Sequence, residues 1–385
     1  MAMDVEELTS RTEALIGDGA GTARLLILNR RGDLTHVRVV VAPRFTASLR
    51  APHIHAVLAM LVEQRLKVAL AGRATAVVEH RPDRVVVGLS CLPDDLREVV
   101  GASLSALRVR IADIDEALSA RDRVAAIHEK AEVSPMTSVR ARFLDSVHAG
   151  RSSDSDVRTL SGKRLVEELS AALVDENVML AVVGSLSAAD IEGLKRLLRA
   201  SPPYGLAPYS VHQPESGIIH ESDESLVQDM VRVGCATVGR GHRDYAAVQI
   251  GALAFGGFPL SRLTRRLRET ERLAYAPRAF LDPSLGYSTF GLEMDVRRGQ
   301  GAHALSAAME EFSGLLEDYD GFELAKSYAV GAMQISCSSA SGYASVLAGL
   351  QALRLPIAWL QRYEQSIQAL DFDSVRLMQN WFFAE

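Results

Sequence analysis

Two residues in the second half of this chain carry side chains suited to polarising a carbonyl, and they stand seven positions apart: Arg268 and Tyr275. A fixed cation beside a phenol can donate to an oxygen as negative charge develops on it. The elements around them must hold that pair. Leu260–Arg268 repeats leucine at three- and four-residue spacing, which predicts a helix with one apolar stripe ending at Arg268. Ala274–Leu281 and Tyr287–Val296 read as strands joined by the turn Pro283-Ser284-Leu285-Gly286. Before the helix, Gly256-Gly257 with Pro259 breaks a preceding helix expected over Arg243–Phe255. Judged by residue type alone, Arg268 equally fits a surface ion pair with Glu269 or Glu271. Tyr275 equally fits a core aromatic on a strand.

The run from Leu253 to Tyr275 has the pattern LxxGGxxxSRLxxxLRExxxLAY. It resembles the C-terminal half of the pitrilysin/insulinase family of zinc peptidases, in the short bacterial form related to mitochondrial processing peptidase. The resemblance implies an α+β fold of two tandem homologous domains. Each would be a mostly antiparallel β-sheet packed with helices, a processing-peptidase-like half. It also implies that Arg268 and Tyr275 contact the scissile carbonyl of a peptide, with Gly256, Gly257 and Tyr287 as substrate-binding candidates. The strand from about Tyr287 to Met294 is a candidate edge on which a peptide adds as a strand.

Members of that family that bind zinc carry H-x-x-E-H on the first long helix, and the order of elements puts that helix at Ala51–Leu70. There the best alignment gives Met60-Leu61-Val62-Glu63-Gln64. The general-base position keeps Glu63, but the ligand positions hold a thioether, Met60, and a neutral amide, Gln64, both poor donors to Zn²⁺. Glu129 is the counterpart of the third ligand. One carboxylate cannot replace three protein ligands, so no metal is expected in this chain. His53, His55 and His128 offer a rival set, but the spacing of His53 and His55 puts them on different helix faces. In the family, two such chains close around a chamber, and one often lacks zinc. The resemblance therefore implies a heterodimer. This chain would supply Arg268 and Tyr275, and a homologous partner with H-x-x-E-H would supply zinc, water and base. The alternatives are an inert scaffold and a self-sufficient zinc peptidase with atypical ligands.

With 385 residues the chain exceeds what one core usually serves. A Pro-rich stretch over 201–215 divides it into domains at 1–200 and 216–385. Both halves follow a β-β-α-β-β-α order with helices after it, but the second has no counterpart of the closing strand Asn177–Val183. A net charge of −6 argues against nucleic acid as a partner. The arginines at 262, 265, 266, 268 and 272 form a local basic run, either a solvated helix face or a contact for acidic substrates. No apolar run reaches the length of a membrane span. Three scattered cysteines and an acidic start without an apolar core lead us to expect a cytoplasmic protein. There is no G-x-S-x-G, Walker loop or dinucleotide fingerprint.

Overall fold

A computed structural model of the chain describes residues 5–17, 23–42, 52–70, 72–81, 83–108, 114–132, 139–140, 142–143, 146, 158, 161–173, 177–198, 217–218, 220, 226–376 and 378–379. The fold is α+β, with two sheets in two compact units.

The first unit comprises Met1–Lys130, Arg151–Ala207 and Gln334–Gln361. Its strands are β1 (Glu13–Gly17), β2 (Ala23–Asn29), β3 (Thr35–Val41), β4 (Thr75–Arg81), β5 (Arg84–Cys91) and β6 (Val178–Gly184), in the order β1-β2-β6-β3-β5-β4. Only β2 and β6 pair in parallel; the other neighbours are antiparallel. Strand β1 follows a short helix, α1 (Val5–Ser10).

One face of this sheet packs on α2 (Pro52–Leu70), α3 (Leu96–Arg108), α4 (Ile114–Glu132), α5 (Gly162–Ala172) and α6 (Ala188–Leu197). Ser187 starts α6 with a capping box, accepting from the Asp190 backbone while Asp190 bonds back to Ser187. Strand β6 is buried along its whole length, because its second face is covered too. The cover is a helix from the far end of the chain, Ala340–Ala352, which packs on β3 and β6. The units are thus discontinuous in sequence. The stretch 201–215, expected as the linker, lies outside the described residues.

The second unit comprises Ala131–Gly150, Pro208–Met333 and Arg362–Glu385. It holds β7 (Gln228–Val238), β8 (Arg278–Ser284) and β9 (Tyr287–Arg297), all antiparallel, in the order β7-β9-β8. Gly286, at φ 87, closes the two-residue hairpin between β8 and β9. Alternate residues of β9 face the helices: Phe290 packs with Phe255 and Phe312, whose own rings meet edge-on at 5.1 Å. Those helices are α7 (Tyr245–Ala252) and α8 (Gly301–Ser313), followed by α9 (Tyr319–Ser338), α10 (Ala340–Ala352) and α11 (Ala358–Gln368). Of these, α10 belongs to the first unit and α9 runs across the division.

The expectation of an edge at Tyr287–Met294 is corrected here. Strand β9 is the middle strand, bonded on both sides, so its backbone groups are already used. The edges of this sheet among the described residues are β7 and β8. Pro283, which has no N–H to give to a ladder, sits on the outer strand β8, as that loss requires.

Candidate functional site

The helix expected over Leu260–Arg268 forms, but most of it is wound as a π-helix, Thr264–Thr270. A second π-helical stretch, Leu253–Gly257, continues α7. Such wide turns are rare and often occur at functional sites. The helix ends where Glu271 N–H donates to Arg266 O at 2.9 Å and Arg272 takes a left-handed φ of 54. The Leu273 and Ala274 N–H groups then both donate to Leu267 O, at 2.8 and 3.2 Å, which turns the chain back. Ala274 makes a single bridge to Val296, and β8 begins only at Arg278.

That reversal brings Arg268 and Tyr275 together. The guanidinium carbon stands 5.2 Å from the centre of the Tyr275 ring, a cation–π contact. Tyr275 is 82% exposed, so it is not the core strand aromatic that its type alone allowed. Arg268 also lies 3.3 Å from Glu269, a half-exposed ion pair worth little. The pair therefore presents a cation and a phenol to the surface from one rigid turn.

The turn is braced from below. Glu271 takes Arg266 at 2.5 Å and His303 at 3.1 Å. Two more arginines of the basic run are neutralised within the fold: Arg262 pairs with Glu311 at 2.8 Å, and Arg265 with Asp318.

Gly256 is buried, and a Cβ there would fall 2.7 Å from the Ala279 backbone nitrogen of β8. At Gly257 a Cβ would fall 2.8 Å from Leu253 Cδ2. Their missing side chains let the π-helix press on the sheet and on its own preceding turn. Tyr287 is buried at the start of the middle strand, opposite Val238 and Ser284. The structure joins Arg268 with Tyr275; the other three residues are packing positions in the same unit.

On α2, the donor set at the zinc position does not fit the metal. Met60 packs against the hydrophobic core, and Glu63 pairs with Lys67 one turn on at 3.2 Å. The Gln64 Nε2 is buried without a hydrogen-bond partner among the described residues, and an amide nitrogen has no lone pair for a cation. Glu129 is exposed and pairs with Arg158 at 2.9 Å. Of the histidines, the side chains of His53 and His128 lie outside the described set. His55 is fully buried, and burial pushes its imidazole down to about 3, helped by the neighbouring His80 and Arg84. Among the described residues no three His, Cys, Asp or Glu converge as a metal site. Cys91, Cys235 and Cys337 are free thiols that burial pushes up to about 11.

Residues 169–327, from the end of α5 to the middle of α9, match the family described as peptidase M16 inactive domain. The M16 fold extends across nearly the whole chain. A peptidase M16 inactive domain from Pseudomonas fluorescens superposes with a TM-score of 0.75 at 19% identity, over 96% of this chain and 94% of its own. A protease from Helicobacter pylori gives 0.77 at 17% identity, over 96% of both chains. A chain of complex III2 from Candida albicans gives 0.69 at 12% identity, over 96% of this chain and 92% of its own. The same fold thus occurs in proteins of different kinds, and its chemistry has to be read from individual residues. No curated protein matches the sequence.

Proposed function

We propose that this chain is the zinc-free member of a two-chain peptidase. In this reading Arg268 and Tyr275 donate to the carbonyl oxygen of a peptide held at a homologous partner's zinc site. The partner carries H-x-x-E-H and brings the metal, the water and the base; this chain brings two donors where the tetrahedral oxyanion forms. The observation that carries the reading is the exposed Tyr275 ring under the Arg268 guanidinium, with Arg268 on the π-helical turn and Tyr275 just past the reversal that ends it. The unsuitable donors at Met60 and Gln64 support it, as does the match of residues 169–327 to the M16 inactive-domain family. The substrate is a peptide or leader segment, added as a strand to an outer strand of a sheet. No described helix is long and apolar enough to cross a membrane, and three free thiols suit a reducing compartment, so the cytoplasm is the proposed location.

The test is turnover by the reconstituted pair. Arg268→Ala and Tyr275→Phe each lower kcat on the order of 10²–10³, the usual cost of one oxyanion donor. Unchanged turnover removes the role of the pair. Stoichiometric zinc in the isolated chain, measured by elemental analysis, removes the division of labour. The scaffold reading gains from the likeness to a complex III chain, and it predicts that neither substitution alters any rate.

A further inference from the structure

The shape of the turn that carries Arg268 and Tyr275 is decided at one carbonyl. The Leu267 oxygen accepts from both Leu273 and Ala274, and those two bonds fold the chain back toward Arg268. In an α-helix the same oxygen takes the amide four residues on, which here is Glu271. It is left to the returning chain because Glu271 N–H reaches one residue further back, to Arg266 O at 2.9 Å. That is the five-residue spacing of a π-turn. The Thr270 hydroxyl repeats it, donating to Arg265 O at 2.9 Å. The contact between Arg268 and Tyr275 therefore depends on the π register of Thr264–Thr270. Backbone bonding does not favour that register, since π-turns are rare and the left-handed Arg272 follows at once.

The Glu271 side chain is placed to select it. One carboxylate oxygen lies 2.5 Å from the Arg266 guanidinium, so backbone and side chain of Glu271 grip the same residue. Residues five apart do not face each other on an α-helix, so this pair belongs to the wider winding. The other oxygen lies 3.1 Å from His303 Nε2 on α8. Arg266 in turn stands 3.4 Å from Glu310, seven residues beyond His303 and on the same face of α8. Two side chains of one helix thus flank the Arg266–Glu271 pair. The rival tie is Glu269 to Arg268, at 3.3 Å. The Glu269 side chain is 66% exposed and its pair is screened by water, whereas that of Glu271 is 20% exposed.

We propose that Glu271 is a positioning residue for the Arg268–Tyr275 pair. It holds the helix end in the π register through Arg266 and fastens that end to α8 through His303. Without its carboxylate the end winds as an α-helix, and Glu271 N–H takes the Leu267 oxygen from Leu273 and Ala274. The chain beyond then turns by about 100°, one residue's share of an α-turn, and Tyr275 leaves the Arg268 guanidinium. The effect of Glu271 on rate rests on the reading of that pair as carbonyl donors; its effect on their geometry does not.

The test uses the full chain with 3-fluorotyrosine at its nine tyrosines, the Tyr275 resonance being assigned by its loss in Tyr275→Phe. In ¹⁹F NMR, Arg268→Ala moves this resonance by taking the cation from the ring. Glu271→Gln, similar in size but uncharged, moves it in the same direction by at least half as much, and further than Glu269→Gln does. An unmoved resonance in Glu271→Gln, or an equal shift in Glu269→Gln, overturns the proposal. Should Glu271→Gln not fold, His303→Ala at its largely exposed site decides: a shift of the same sign is expected, and none overturns the proposal. In the reconstituted pair, Glu271→Gln lowers kcat at least tenfold with KM within twofold. Full kcat in Glu271→Gln beside a depressed kcat in Arg268→Ala also overturns it. Full turnover in Arg268→Ala and Tyr275→Phe instead removes the carbonyl-donor reading, and the ¹⁹F shifts still decide whether Glu271 positions the pair.

Discussion

His55 illustrates how a residue that looks like a metal ligand in sequence is turned to another purpose by its surroundings. It lies wholly inside the first unit, with His80 and Arg84 nearby, and all three effects oppose its protonation. The folded chain thus holds it neutral down to about 3, whereas an unfolded chain protonates it near 6.5. Between those values the unfolded state binds more protons, so stability rises with pH there and is lost as pH falls below 6.5. The slope contributed by one such group is about 1.4 kcal/mol per pH unit. Urea unfolding at pH 6.5 and at pH 5 should therefore differ by roughly 2 kcal/mol more for the native chain than for His55→Leu. If both lose the same amount, His55 titrates normally and the burial argument fails. The Arg268–Tyr275 pair is the opposite case. Its chemistry was visible from residue type and spacing, but its exposure was not, because an aromatic followed by a strand-like run reads as core.

At the scale of elements, the glycines of the second unit separate into those that permit contact and those that do not. Gly256 lets the π-helix Leu253–Gly257 approach β8, with the Ala279 nitrogen and the Leu263 side chain each within 3 Å of where a Cβ would stand. Gly331 lies inside α9, with nothing within 4 Å of such a Cβ. Gly256→Ala should destabilise by about 1–3 kcal/mol, as overpacking does. Gly331→Ala should stabilise by about 0.5–1 kcal/mol, through helix propensity and a stiffer unfolded chain. Chemical denaturation of both variants checks the pair; a neutral Gly256→Ala shows that the approach of helix to sheet is loose. Several elements were legible because their periodicity is local: α2, β6 and β9 appear within a residue or two of their expected ends. The hidden features depend on distant partners. Nothing in Tyr287–Val296 says that β7 and β8 bond to both its edges, and the π-helical winding of Thr264–Thr270 leaves the leucine spacing almost unchanged.

At the scale of the whole molecule, the cut that sequence suggests and the units that pack are different divisions. Strand β6 reads as an unbroken apolar run, the pattern of a strand buried on both faces, yet among the described residues of the first 200 no helix covers its second face. That helix is α10. It buries Tyr343, Leu347 and Leu350, and its Gln351 amide donates to Ala23 O at 3.0 Å and Leu180 O at 2.9 Å. Tyr343 shares a 2.8 Å hydrogen bond with Thr12, and Arg38 donates to Ser341 Oγ at 2.7 Å. Three large apolar side chains alone account for on the order of 5 kcal/mol, comparable with the net stability of an ordinary domain. A fragment of residues 1–207 should therefore fold poorly despite containing all six strands of its sheet. It should bind a hydrophobic dye and unfold in urea without a cooperative transition. Adding a synthetic peptide of residues 334–361 should restore the transition and reduce the dye signal. A fragment that unfolds cooperatively without the peptide would show that α10 is a lodger on the sheet rather than a wall of its core.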